Sequence, residues 1–250
     1  MRQMKYGFTC LIFMMAVFSF SFCKAETKSS RQKAEPRVLV FSKTAGFRHD
    51  SIEKGTETIE ELGNENGFLV DHTEDAGLFT VDHLKKYKAV IFLSTTGDVL
   101  NDEQQRAFEN YIHHGGGYVG VHAAADTEYD WPWYNQLAGA WFLSHPKQQE
   151  ATILVVDKHH LATRHLPDTW RRWDEWYNYK SISPTIHVLM KLDEKSYEGG
   201  QNGDNHPIAW YHKFEGGRAF YTGLGHTKES YDDVAFRQHL LGGIKYAMGK

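Results

Sequence analysis

Three apolar runs without an interior charge punctuate the first half of the chain: Val38-Leu39-Val40-Phe41, Ala89-Val90-Ile91-Phe92-Leu93 and Tyr118-Val119-Gly120-Val121. Uninterrupted apolar strands of this length suit a parallel sheet covered on both faces. A further run, Phe68-Leu69-Val70-Asp71-His72, follows the turn signal Gly67 and ends polar. Between these runs the spacing of apolar positions turns helical. Residues 52–62 read as an amphipathic helix with Ser51 as its cap, residues 81–85 as a short helix, and residues 102–113 as a helix capped by Asn101. The last of these has acids in its first turn and a histidine in its last, which complements the helix dipole. Strands alternating with helices imply right-handed crossovers and a mostly parallel sheet.

The second half reads differently. Asp130-Trp131-Pro132-Trp133-Tyr134 is aromatic and polar together, and is expected to form a helix and loops overhanging the sheet edge. Strands are expected at 151–156 and 187–192, and the run Arg172-Trp173-Asp174-Glu175-Trp176-Tyr177 reads as a strand end. Residues 207–212 and 218–221 should pair as a hairpin about Gly216-Gly217, and residues 234–248 should form a closing helix. The expected fold is therefore α/β: a mostly parallel central sheet with helices on both faces, flavodoxin-like, with a small antiparallel extension. No internal repeat, P-loop or dinucleotide fingerprint is present.

Composition alters this picture at the amino terminus. Arg2 and Lys5 precede the apolar run from Leu11 to Phe22, the pattern of an export signal over residues 1–25. Cys23 offers the alternative of a lipoprotein signal. Cys10 and Cys23 are the only cysteines, so the remaining chain has neither disulfides nor a thiol nucleophile. Residues 26–36 read as a flexible tether and 37–250 as one domain. The expected location is the periplasm or, with Cys23 lipidated, the outer membrane. A net charge of -4 argues against a nucleic-acid partner. Oligomeric state is left open.

Fifteen histidines and seven tryptophans point to proton transfer, metal binding or ring stacking. His122 follows a buried strand between Gly120 and three alanines, where a tight strand-to-helix turn would lift it above the sheet edge, as a nucleophile elbow lifts its serine. His49 follows the first strand, and His226 follows Gly223-Leu224-Gly225 at a later strand end. Open α/β sheets bind ligands at such positions. With Glu175 these residues form the candidate catalytic set. His49, His122 and His226 could hold a divalent transition metal; alternatively the set works metal-free as acid and base. Asp126 and Asp174 are candidates to orient an imidazole through its second nitrogen. Trp131, Trp133, Trp141 and His145 are candidates for binding a sugar. His159, His160 and His165 show no ligand spacing and are read as surface residues.

Several of these segments, in order, resemble the ThuA-like (trehalose-utilisation) family: Phe47-Arg48-His49-Asp50-Ser51, the run from Gly116 to Asp126, Leu137-Ala138-Gly139-Ala140, His145-Pro146, Asp174-Glu175-Trp176-Tyr177, Pro207-Ile208-Ala209-Trp210 and the run from Arg218 to Thr227. The resemblance covers the chain from Arg37 to its end. It implies a fold similar to class I glutamine amidotransferases. In those enzymes the elbow carries a cysteine assisted by a later histidine; His122 looks like the elbow residue and His226 like that histidine. Without the thiol, a thioester glutaminase route is excluded. Family context implies carbohydrate metabolism, including oxidised (3-keto) disaccharides. Three functions follow as expectations. One is an enzyme acting on a sugar or keto-sugar glycoside by isomerisation, elimination or hydrolysis. Another is a non-catalytic periplasmic sugar-binding or accessory protein. The third is a thiol-independent amidase-like hydrolase.

Overall fold

The structure, a computed structural model, describes residues 1, 3–7 and 35–250. The apolar leader run, Cys23 and most of the expected tether lie outside the described residues. Residues 35–250 form one compact unit. Its first half contains β1 (Arg37–Phe41), α1 (Ile52–Asn66), β2 (Leu69–Thr73), α2 (Val81–Leu84), β3 (Ala89–Leu93), α3 (Asp102–His113) and β4 (Gly117–Val121). There follow α4 (Pro132–Ala138), β5 (Trp141–Ser144), β6 (Gln149–Val155), β7 (Thr169–Asp174), β8 (Asn178–Lys180), β9 (His187–Asp193), β10 (Pro207–Phe214), β11 (Gly217–Thr222) and α5 (Val234–Ala247).

Nine strands share one sheet in the order β2-β1-β3-β4-β11-β10-β9-β6-β7. The first five are parallel, and the remaining pairings are antiparallel. Strands β3 and β4 are buried along their whole length, as their lack of charge requires. Strands β10, β9, β6 and β7 extend the parallel part on its β11 side. β5 and β8 form a separate two-stranded sheet. These short strands had no alternation to announce them, since each is only three or four residues long.

Caps behave differently at two helices. Asn101 forms a full capping box with Gln104 at the start of α3. Ser51 makes no capping bond; its buried hydroxyl donates instead to the Gly225 carbonyl at 3.2 Å, tying α1 to the loop after β11. His160, expected at the surface, stacks on Tyr211 with ring centroids 4.5 Å apart.

The core also holds His239 of α5. Its Nδ1 donates to the Ala162 carbonyl at 2.8 Å and its Nε2 lies 3.1 Å from the Thr222 hydroxyl, so the neutral ring is fully satisfied. Burial pushes its pKa down to about 3, and His165, Arg172 and His160 act in the same direction. The folded chain therefore refuses a proton that the unfolded chain accepts below about pH 6.5. Stability should fall on acidification through this window, by about 1.4 kcal/mol per pH unit from His239 alone. Burial of His160 adds to it in the same sense. Urea unfolding with a chelator present, at about pH 7 and about pH 5, should show this loss, and His239→Asn should show a shallower one. An identical pH slope in the two proteins would rule His239 out as a source.

Candidate active site

The carboxyl ends of β1, β4 and β11 lie along one edge of the parallel region, because these strands run in register. Each is followed by a histidine. His49 sits in the loop after β1, only 4% exposed, with Phe47 edge-on against it. His122 directly follows β4 and adopts φ 50°, left-handed for a residue that is not glycine. Such a conformation costs roughly 1–3 kcal/mol and persists only when its surroundings impose it. They do so here by close packing. A Cβ on Gly120 would lie 2.6 Å from the Tyr118 hydroxyl, and Ala123, Ala124 and Ala125 are wholly buried. His226 follows Gly225, whose φ of 103° turns the chain after β11.

Glu175 arrives by another route. It follows β7, four strands beyond β11 in the sheet order. In a flat sheet four spacings would separate them by roughly 19 Å. Yet Glu175 Oε2 lies 3.1 Å from His226 Nδ1 and 3.5 Å from His122 Nε2. The antiparallel part must therefore curl back over the parallel edge. Asp174 secures that closure. Its wholly buried carboxylate accepts from the backbone N–H of Gly225 at 3.0 Å and of His226 at 3.1 Å, and from the Ser230 hydroxyl at 3.1 Å. Arg172 Nη2 stands 3.5 Å away.

One ligand atom from each of His49, His122, Glu175 and His226 lies within 4.8 Å of the other three. The His49 ring centroid is 4.8 Å from that of His122 and 5.1 Å from that of His226. His122 Nδ1 donates to the Gly223 carbonyl at 3.0 Å, so its Nε2 carries a lone pair directed at His226 Nδ1, 3.0 Å away. On the far side of His226, Nε2 lies 2.7 Å from the Gln148 amide. His49 Nδ1 is buried without a hydrogen-bond partner among the described residues. Tyr177 packs on His122 with centroids 4.3 Å apart.

Electrostatics follow from this crowding. Burial, then repulsion by His122 and His226, pushes His49 down to about 3, so it is neutral. Burial alone would raise Glu175, but the neighbouring His122 and His226 side chains outweigh it and hold the carboxyl well below its usual range. Burial alone would lower His226, but the bond to Glu175 prevails and raises it. The centre is thus one carboxylate among three imidazoles, a donor set that in its neutral-imidazole form suits a divalent transition metal. Ligand bonds of about 2.0–2.2 Å place two donors at most about 4.4 Å apart, so the set needs to contract by a few tenths of an ångström. An open cavity of about 530 Å³, bordered by Glu175, His145, Pro146 and Gln148, gives access to the centre.

The other expected site residues distribute unevenly. His145 lies at the cavity, with Nδ1 3.2 Å from Glu175 Oε1 and 2.9 Å from the Pro146 carbonyl. Trp141 packs against Tyr129 and does not line the cavity. Trp131 and Trp133 do not reach the site. Their rings stack on each other, and their indoles donate to Glu109 of α3 and to Glu215 in the β10–β11 turn. That turn adjoins the amino end of β4, opposite His122, because Arg218 pairs with Gly117 and Thr222 with Val121. The aromatic run there covers Phe108 and Phe214. Neither aspartate orients an imidazole: Asp126 accepts from the Tyr129 hydroxyl at 2.6 Å, and Asp174 binds backbone and Ser230. The partners at the imidazoles' second nitrogens are the Gly223 carbonyl and Gln148. No motif marks either, since one is backbone and the other lies in a plain polar turn.

A mixed α/β sheet with an imidazole on the tight turn after β4 defines the class of this fold. Within it, the family model described as ThuA, trehalose utilisation, matches residues 37–247. The chain belongs to the ThuA family, and membership gives it a carbohydrate-related role. A ThuA-like protein of Bacteroides uniformis superposes with a TM-score of 0.74 at 25% identity, covering 88% of this chain and 94% of that one. A ThuA-like protein of Parabacteroides merdae does so with a TM-score of 0.72 at 23% identity, covering 86% and 91%. A β-galactosidase from Bacillus circulans shares the fold, with a TM-score of 0.57 at 14% identity, over 86% of this chain but only 31% of that one. No curated protein matches the chain.

Proposed function

We propose that this chain is an enzyme acting on a sugar or keto-sugar glycoside by acid–base chemistry at a metal-binding centre. The observation that carries this reading is the convergence of His49, His122, Glu175 and His226 within 4.8 Å beside an open cavity. These four residues would hold a divalent transition metal, which when bound polarises a carbonyl or activates water. His122 is pre-oriented for this by Gly223. Gln148 serves His226 in the same way: with its amide turned, its oxygen accepts the Nε2 proton and leaves the Nδ1 lone pair to the centre.

His145 is the proton carrier. Its Nδ1 is engaged by Glu175 and Pro146, and its half-exposed ring borders the cavity. In a keto-glycoside the carbonyl acidifies the adjacent C–H. His145 removes that proton, the electron pair forms the new C=C bond, and the glycosidic C–O bond breaks. The departing oxygen takes a proton, giving an unsaturated keto-sugar and an alcohol. A thioester route is unavailable because the only cysteines are Cys10 and Cys23. Export, and membrane attachment through Cys23, are proposed from the leader alone.

The test incubates purified protein with trehalose and with 3-keto-trehalose, reading products by mass and NMR, before and after chelation. Turnover of the keto-sugar, lost on chelation and restored by one divalent ion, is expected. Full activity in metal-free protein would remove the metal from the reading. Product from neither sugar would remove the enzyme.

A further inference from the structure

Elimination from a keto-glycoside moves two protons. His145 takes one from carbon, and the departing oxygen receives the other from a donor of its own. The proton lost and the oxygen released belong to adjacent carbons. Base and acid, each about 3 Å from its substrate atom, therefore stand roughly 5–8 Å apart.

Tyr177 meets that requirement. It lies two residues beyond Glu175, in the link from β7 to β8. Its ring centroid is 4.3 Å from that of His122. It is 6.0 Å from that of His145, with the two rings nearly parallel at 24°. Phe142 of β5 packs on it at 4.4 Å. The Tyr177 carbonyl accepts from Nε2 of the wholly buried His206 at 2.8 Å. Ring and backbone are thus both held, which positions a donor before the reaction begins.

The hydroxyl is the part left uncommitted. The phenols around it are engaged: Tyr129 donates to Asp126 at 2.6 Å, Tyr221 donates to the His122 carbonyl at 2.7 Å, and the Tyr179 hydroxyl lies 3.2 Å from that of Tyr221. The Tyr177 hydroxyl bonds to no described residue. It is also not sealed in, as the partnerless hydroxyl of Tyr231 is. A side chain only 3% exposed whose one polar side-chain atom is open and unbonded has a donor to spare for a ligand oxygen.

We infer that Tyr177 is the general acid of the reaction, giving its hydroxyl proton to the glycosidic oxygen as the C–O bond breaks. The inference rests on the proposed elimination and adds the residue that serves the leaving group. The C–H electron pair becomes the C=C bond, and the C–O pair stays with oxygen, which takes the phenol proton. The proton that His145 removed then returns to the phenolate through water in the open cavity.

The experiment compares wild type with Tyr177→Phe on methyl and p-nitrophenyl 3-keto-α-D-glucopyranosides. Phenylalanine keeps the ring between His122 and Phe142 and removes only the oxygen. The variant should lose about 10²–10⁴-fold in kcat/KM on the methyl glycoside. It should lose far less on the p-nitrophenyl glycoside, whose leaving group departs without a proton. Bound metal, read by elemental analysis, should match wild type. Equal losses on both substrates would make Tyr177 structural, and no loss on either would remove it from the reaction. Either result overturns the inference while leaving the elimination in place. Turnover of neither glycoside by wild type would instead sink the elimination, and the inference with it.

Discussion

His122→Asn is expected to fold like wild type and to lose turnover of the keto-sugar by about 100-fold or more, since removing a residue that holds the metal should cost at least as much as removing a partner that orients one. Asparagine is the informative replacement. It tolerates the left-handed backbone that His122 adopts at φ 50°, and its amide can still donate to the Gly223 carbonyl. What it lacks is the Nε2 lone pair that faces His226 and Glu175. The change therefore removes one donor from the centre while leaving the elbow intact. Thermal unfolding should move by only a few degrees, and elemental analysis should show less bound metal. Turnover within threefold of wild type would mean that the centre is not where the chemistry happens.

Asp174→Ala should cost about 3–5 kcal/mol of stability, the usual penalty for stripping a buried ion of its partner. Arg172 would remain buried with Asp233 as its distant counter-charge, and the backbone N–H groups of Gly225 and His226 would lose their acceptor. Domains of this kind are stable by about 5–15 kcal/mol, so about a fifth of the total or more is at stake. Activity should fall with it, because Asp174 joins the curled end of the sheet to the loop carrying His226, and Glu175 is the next residue. Asp174→Asn, which keeps one acceptor oxygen, should recover part of both. Denaturant unfolding measures the cost; a loss below about 1 kcal/mol would show that something else holds the two ends together.

The histidines at the strand ends were legible because their signal is local. A charge-free run, a glycine and then an imidazole locate His122 and His226 on the carboxyl edge of a parallel sheet, whatever the strand order. Glu175 was recognisable as a candidate only by its neighbours Asp174, Trp176 and Tyr177. The aromatic residues were the least readable. Trp131 and Trp133 look like a sugar platform in one dimension, yet they plug the opposite end of β4. Trp173, unremarkable in the sequence, is the exposed one. Stacking on a sugar and packing on a core use the same flat apolar surface, so composition alone does not separate them.

By itself, then, the order of residues determined the strands, the helices and the edge to which three imidazoles belong, since these depend on periods of two to four residues and on turn chemistry. Only the tertiary structure decided that the antiparallel end curls back, that Glu175 completes the centre, and that Gln148 meets His226. These rest on pairings between residues dozens of positions apart, such as the Asp174 carboxylate with the Gly225 and His226 amides. No short-range pattern encodes which distant partner a buried carboxylate will find.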